Sequence, residues 1–354
     1  MKTWDVIVIG GGIIGLSLSI ALRKRGATVL VVERGEPGRE ASHAAGGMLV
    51  DSPLETQAAL QPLATVSAKM YPEFAHELEV ESGMKVDLRD YGTIVFPPAD
   101  EIHERPAFTL SNSLPAPLTD LEPALASTDR ATFYLKEHSV DPRALTAAAL
   151  KTAKNRGVDF SSGDPVTAVT LSDSHVTGVT TTKTSFLAQK VVNCAGAWSS
   201  QLGPHTIPTR PVKGQMLCLA MQPHNLLKHV IRSPEVYLIP RSDGRLLAGA
   251  TVEEAGFDKR TDPATMQTFH RAAIALVPQL REAKILEDWA GLRPGTPDNL
   301  PILGATPTPG YYVATGHFRD GILLAPITAA VVSAVIDSQD PNFDLTAFSP
   351  ARFE

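Results

Sequence analysis

The chain opens on an apolar run, Val6-Ile-Val-Ile9, in which every residue is β-branched, and this reads as a strand buried on both faces. A helical pattern follows from Leu16 to Arg25, Gly26 stops it, and Thr28-Val-Leu-Val-Val32 reads as a second buried strand that ends on Glu33. From Ala58 to Gly83 the apolar residues Leu63, Val66, Met70, Phe74 and Leu78 recur at three- and four-residue intervals, which predicts a long amphipathic helix. Short strands are predicted around Val86 and from Thr93 to Phe96. The stretch Pro97 to Pro123 holds six prolines and reads as a loop with at most one short helix. Phe133-Tyr-Leu135 predicts a strand. Asp141-Pro142 starts a helix through Asn155, with an acid at the cap and proline in the first turn, and Gly157 ends it.

Val158 to Phe160 and Pro165 to Leu171 read as strands, and His175 to Lys183 as a threonine-rich hairpin arm turning near Gly178. Lys190 begins another buried strand that ends on the small residues Ala195-Gly196-Ala197. Residues 205 to 290 change character: strand-like runs at Gln215 to Ala220, Val236 to Pro240 and Leu246 to Ala250 are separated by turns, Ser242-Asp243-Gly244 among them, and one helix spans Pro263 to Leu276. This pattern predicts an antiparallel sheet with a helix, inserted into a parallel α/β frame. Trp289 to Asp298 leads back, Tyr311 to Ala314 is a strand, and Gly316 to Gly321 turns into the apolar helix Ile322 to Ile336.

Chemistry is predicted at the junctions between these elements. Between the first strand and helix, Gly10, Gly12 and Gly15 fit the G-x-G-x-x-G spacing: a tight turn, close backbone approach to a pyrophosphate, and packing of helix on sheet. The N–H groups near Ile13 and Ile14 would then face the phosphates at the positive end of the helix dipole. Glu33 lies about 20 residues further on, where an acid accepts from both ribose hydroxyls. Ala195-Gly196 either passes beneath the same dinucleotide or makes a tight corner with no ligand. The polar, small-residue stretch Gly35 to Ala45 with Gly46-Gly47-Met48 either runs beside a flat ring or is an ordinary loop. The Gly316 to Gly321 turn lacks the fingerprint, but a helix start aimed at a cofactor ring favours negative charge such as a reduced flavin carries. With one fingerprint in the chain, FAD alone is more economical than FAD with a nicotinamide.

Composition narrows the classes further. The 354 residues, 43% hydrophobic and 20% charged, are those of a globular protein with ample core, and the net charge of −6 argues against nucleic acid as a partner. Cys194 and Cys218 have no C-x-x-C spacing and the ten histidines no H-x-H or H-E-x-x-H, so neither a metal site nor a disulfide framework is expected, and a reducing cytoplasm fits. Neither a P-loop nor G-x-S-x-G occurs. The glycines that break Val6 to Leu22 argue against a leader or a membrane span there. A homo-oligomer is left open.

Taken together, Ile9 to Gly15, Glu33, Ala44 to Leu49, Asn193 to Ser199, Pro211 to Gly214, Tyr237-Leu-Ile-Pro-Arg-Ser-Asp-Gly-Arg245, Gly249-Ala-Thr251, Trp289-Ala-Gly-Leu-Arg-Pro-Gly-Thr296 and Gly316-His-Phe-Arg-Asp-Gly-Ile-Leu-Leu-Ala-Pro326 span nearly the whole chain. In these stretches the chain resembles the glycine oxidase and D-amino-acid oxidase family, most of all the glycine oxidases of thiamine biosynthesis. The resemblance implies a Rossmann-like FAD-binding domain of the glutathione-reductase type (α/β) with an interleaved antiparallel α+β substrate domain. The expected division is 1–80, 140–204 and 286–354 for FAD, and 81–139 and 205–285 for substrate.

The resemblance also implies noncovalent FAD held by Gly10, Gly12, Ile13, Ile14, Gly15, Glu33, Arg34, Ala41, Ser42, Gly46, Gly47, Met48, Val166, Ala195, Gly196 and the run His317, Phe318, Arg319, Asp320, Gly321, Ile322 and Leu323. It assigns Arg293 to the substrate carboxylate, Tyr237 as a second hydrogen-bonding group, and Arg319 to the substrate end. An arginine fork matches a carboxylate bidentately, which supports the first role independently. Arg319 is nearly as well explained as a turn-fixing ion pair, and His317 as a packing residue. Related covalent flavoenzymes carry their attachment cysteine near the position of Gly291, and none is there. Val252 and Glu235 depart from the glycine oxidase pattern at positions expected to border the substrate pocket. The implied activity is oxidation of a small amino acid or amine with dioxygen as acceptor. A quinone-linked dehydrogenase, a 2-hydroxy-acid oxidoreductase and a non-catalytic flavin subunit stand as rivals.

Overall fold

The computed structural model describes residues 2–53, 55–98 and 113–353, so part of the proline-rich loop (99–112) lies outside the described residues. The two buried runs at the start of the chain become the parallel strands Thr3–Ile9 and Val29–Glu33, joined by the helix Ile13–Lys24. They form the centre of an eight-stranded sheet whose main path runs Ile302–Ala305, Tyr311–Thr315, Ser185–Asn193, Thr3–Ile9, Val29–Glu33, Asp159–Ser162, and every neighbouring pair except the first is parallel. Four helices, Ile13–Lys24, Gln61–Ser82, Pro142–Asn155 and Gly321–Ile336, bury their apolar residues against one face, with Leu16, Leu63, Leu145 and Leu324 wholly enclosed. The antiparallel arm Val166–Ser172 and His175–Thr181 covers the other face, where Val176 and Val179 pack on Ile7, Leu30 and Val191.

A second sheet of seven strands has the order Ile285–Gly295, Arg210–Ala220, Arg245–Gly249, Tyr237–Pro240, Val230–Arg232, Thr93–Val95, Phe133–Leu135. It is antiparallel except where Val230–Arg232 meets Thr93–Val95. The helix Pro263–Leu276, capped by the Asp262 carboxylate, buries Met266, Phe269 and Ala273 against Leu217, Leu219, Leu246 and Ala248. A small third sheet, Met48–Leu49, His138–Val140 and Leu88–Arg89, ties the segment after Glu33 to the helix that begins at Pro142.

Two readings of the sequence are corrected here. Residues 285–295, taken from 286 onward as part of the FAD-binding segment, are the edge strand of the second sheet, in register from Arg210↔Gly295 to Leu219↔Ile285. Gly178 does not turn the arm: it sits inside the strand at a register shift, where a side chain would run into the Phe186 carbonyl. The chain reverses instead at Asp173-Ser174, both with positive φ, and around Thr182-Lys183, where the Thr181 hydroxyl accepts from the N–H groups of Lys183 and Thr184.

Candidate active site

A cavity of about 770 Å³ lies where the C-terminal ends of the parallel strands meet the second sheet. The first strand turns into its helix along one wall. Gly10 has φ +107°, and a Cβ there would stand 2.5 Å from the Cys194 carbonyl; one on Gly15 would strike the Gly10 carbonyl, so the helix starts directly against the turn. Gly12 is the N-cap, without a side-chain cap, and no acid stands in the first turn, so the positive helix end is left open toward the cavity.

Glu33 is buried at the strand end, its Oε2 accepting from Gly11 N–H at 2.8 Å and its Oε1 from Gly35 N–H at 2.9 Å, with lone pairs remaining on both oxygens. The Ile13 N–H, predicted to face a pyrophosphate, donates to Ser42 Oγ at 2.9 Å. Ser42 itself lines the cavity, and its hydroxyl proton remains to be donated there. Arg34 stacks over the Trp198 ring at 3.5 Å and pairs with Glu40 at 2.7 Å. An open helix start, an acid at the ribose position and a glycine-lined turn fit the pyrophosphate and adenosine of a dinucleotide.

The middle of the cavity is lined by Ala41, Gly46, Gly47, Met48, Val166, Ala195 and Gly196. The Arg241 guanidinium, 1% exposed, fixes this stretch by donating to the Gly46 carbonyl at 2.5 Å, and Trp289 Nε1–H donates to the Ala44 carbonyl at 3.1 Å. His317 through Ile322 close the floor, at the start of the last helix. His317 is buried, its Nε2 3.0 Å from the Thr328 hydroxyl, and burial pushes its pKa down to about 3, so it is a neutral packing group. Leu323 and Gly15 are not on the wall: Leu323 is in the core, its carbonyl accepting from Ser67, and Gly15 lies behind the turn.

The far end holds the predicted substrate residues together. Arg293, on the edge strand, passes over Gly214, where no side chain would fit, and its Nη1 donates to the carbonyls of Thr251 at 3.0 Å and Lys213 at 3.4 Å. Burial holds its guanidinium below the ordinary range, with the Tyr237 hydroxyl pulling the other way. Tyr237 donates to Met216 Sδ at 3.2 Å, and burial pushes its pKa up to about 12. Arg319 is exposed on the same wall. Val252 lines the cavity as expected, but Glu235 does not: it reaches Arg130 at 3.4 Å beside a separate, smaller cavity.

Sequence reasoning missed Arg232, Glu55 and the wall formed by Phe96 to Pro98. Arg232 is 7% exposed, with Nη2 2.8 Å from Glu137 Oε2 and Nη1 2.8 Å from Glu55 Oε1. Burial, with Glu55 adding repulsion and Arg232 opposing, pushes Glu137 up to about 7. These partners are far apart in sequence and carry no local motif. No His, Cys, Asp or Glu cluster suited to a metal occurs among the described residues.

A cleft with one dinucleotide fingerprint, closed by a sheet that aims an arginine and a tyrosine into it, defines a flavin-dependent oxidoreductase of two interleaved units. The chain matches the family described as FAD dependent oxidoreductase (DAO) over residues 5–335, and it belongs to that family, with FAD as its cofactor. It is 34% identical to a glycine oxidase of Geobacillus kaustophilus, covering 99% of this chain and 97% of that protein. The crystal structure of glycine oxidase from Geobacillus kaustophilus superposes with a TM-score of 0.93 at 31% identity, covering 99% of each chain. A bifunctional ThiO/ThiG protein of Trichormus variabilis is 35% identical over 99% of this chain, which spans 55% of that longer relative.

Proposed function

We propose that the protein oxidises the α-carbon of glycine or another small amino acid or secondary amine, giving an imine and, with dioxygen as acceptor, hydrogen peroxide. The observation that carries this reading is Arg293. A partly buried guanidinium whose hydrogen-bond partners among the described residues are carbonyls faces the same cavity as the dinucleotide cradle, and it is short of negative charge. A substrate carboxylate supplies that charge in a bidentate fork, and the Tyr237 hydroxyl turns from Met216 Sδ to a carboxylate oxygen.

FAD held along Gly10, Gly12, Glu33 and Gly46 to Met48 would supply the hydride acceptor for the α-carbon. The protein's own part is placement. Arg293 and Tyr237 hold the carboxylate, and Gly46 to Met48 and the helix start at Gly321 form the walls that aim the α-carbon. The first-turn N–H groups of the helix Gly321–Ile336 carry no side-chain cap and would favour the negative charge that the cofactor gains on reduction. Noncovalent attachment is supported at Gly291, where a side chain would collide with Ala44, and by burial that raises the Cys194 thiol far above its usual range. The resemblance to glycine oxidases of thiamine biosynthesis suggests that the imine feeds a thiazole-forming step, and the two free, buried thiols suit a reducing cytoplasm. No described helix is long and apolar enough to cross a membrane.

Aerobic turnover with glycine, sarcosine, D-alanine, D-proline and the L-enantiomers tests the reading. Oxygen uptake with matching peroxide and ammonia or amine supports it. Flavin reduction without peroxide would move the protein to the dehydrogenases, and turnover of 2-hydroxy acids alone would replace the amine reading.

A further inference from the structure

Several charged side chains share the wall of the cavity with Tyr237 at the substrate end. Arg293 and Tyr237 stand on two strands of the second sheet, and Arg319 adjoins Asp320 in the turn that opens the last helix. Glu55 pairs with Arg232 at 2.8 Å, and Arg232 stands opposite Tyr237 in strand register, so that the two side chains leave the same face of the sheet. All six line the cavity. Arg293 and Arg319 offer positive charge and Asp320 offers negative charge not already paired, the two signs that the carboxylate and ammonium of an amino-acid zwitterion require.

Asp320 stands out among them. It occupies the N-cap position of the helix Gly321–Ile336, where an aspartate ordinarily accepts from the first-turn N–H groups, yet it makes no such cap. Its backbone N–H donates to the His317 carbonyl at 2.8 Å, which holds the turn and leaves the carboxylate on the cavity wall. Glu55 and Glu137 are both engaged by Arg232, whereas no ion pair or hydrogen bond occupies the Asp320 carboxylate among the described residues. His317, in the same turn, is neutral and bound to Thr328, so it does not compete for a proton.

An amino acid reaches the site with its amine protonated, and hydride cannot leave the α-carbon until the nitrogen lone pair is free to form the imine. We propose that Asp320 is the group that accepts the ammonium proton of the bound substrate. The N–H bond breaks, an O–H bond forms on the carboxylate, and the ion pair becomes a neutral amine beside a neutral acid; the proton passes to solvent after product leaves. This rests on the amine-oxidation reading given above. Burial pushes Asp320 up to about 6, with Arg319 pulling down and Glu55 adding to the rise, so the carboxylate is ionised at neutral pH and a stronger base than an ordinary aspartate. Beyond these neighbours, Arg232 and Glu137 stand behind Glu55.

The test is the pH profile of anaerobic flavin reduction by the best amine in purified, flavin-loaded wild type and Asp320→Asn. The variant is expected to reduce about 10- to 100-fold more slowly near pH 7 and to recover to within about threefold as the pH approaches ~10, where the free amine no longer needs an acceptor. A second readout needs no turnover: 2-aminoisobutyrate, which lacks an α-hydrogen, perturbs the flavin spectrum on binding, and its Kd rises about tenfold in the variant near pH 7 while that of glycolate, which has no ammonium, stays within about twofold. If Asp320→Asn loses flavin, Asp320→Glu carries the test, and it is expected to keep the wild-type profile. An equal loss at every pH, or no loss at all, would overturn the assignment while leaving amine oxidation standing. A wild type that no amine reduces at any pH would overturn both.

Discussion

Replacing Arg293 by alanine separates a substrate-binding arginine from a structural one. In the folded protein the guanidinium is partly buried over Gly214, bonded to the Thr251 and Lys213 carbonyls, and forms no ion pair among the described residues. A hydrogen bond to a charged partner contributes about 1.5–3 kcal/mol, so a two-pronged carboxylate pair in this half-desolvated place is worth about 3–4 kcal/mol after the carbonyl bonds are discounted. At about 1.4 kcal/mol per decade, Arg293→Ala should lower kcat/KM by two to three decades. The same change removes a charge that burial disfavours, so folding stability should fall by no more than about 1 kcal/mol, with flavin content unchanged. The assay is stopped-flow reduction together with thermal unfolding of the loaded protein. A kcat/KM within about threefold of wild type, or a large loss of stability with a proportionate loss of flavin, would refute the reasoning.

Three further outcomes follow from the same geometry. Glu33→Ala should weaken FAD retention by about 10- to 100-fold, since it removes the ribose acceptor and leaves the Gly11 and Gly35 N–H groups without theirs; equilibrium dialysis of flavin checks it, and unchanged affinity would count against the ribose assignment. Tyr237→Phe removes one hydroxyl and should cost about 3- to 10-fold in kcat/KM with flavin spectrum intact, whereas no change would take Tyr237 out of the carboxylate site. Glu137 is raised from 4.5 to about 7 on folding, so the stability its protonation brings is fully present below pH 4.5 and is lost as pH climbs through 7. The stability of Glu137→Gln relative to wild type should therefore improve by up to about 3 kcal/mol from pH 4 to pH 8 in urea titrations, and a constant difference would contradict the buried-acid reading.

The sequence shows most where chemistry is local. The fingerprint glycines, Glu33 and the Asp141-Pro142 helix start depend on neighbours a few residues apart, and the fold puts the glycines at a strand–helix turn, Glu33 at a strand end and Asp141 at a helix cap. Ile285–Gly295 was less legible because Gly291, Pro294 and Gly295 look like loop residues. Their presence in a strand has separate causes: Pro294 needs no ladder partner on an edge, and Gly291 lies against Ala44. Strand Ile302–Ala305 is too short to give a pattern. Arg232 and its two acids were hidden for another reason. Glu55, Glu137 and Arg232 come from three distant segments, and only folding sets two carboxylates on one guanidinium. Glu235 is expected at the pocket from its place in the glycine oxidase pattern, but it pairs with Arg130 beside a separate, smaller cavity.

The most direct test of the central claim is anaerobic mixing of the yellow protein with the amines named above and, in parallel, with 2-hydroxy acids of the same size. If the cavity binds FAD and presents an amino-acid α-carbon to it, glycine or another small amine will bleach the flavin in a saturable, stoichiometric reaction, slowed when the α-hydrogens are replaced by deuterium. Flavin that stays oxidised with every amine, or is bleached only by hydroxy acids, would contradict it.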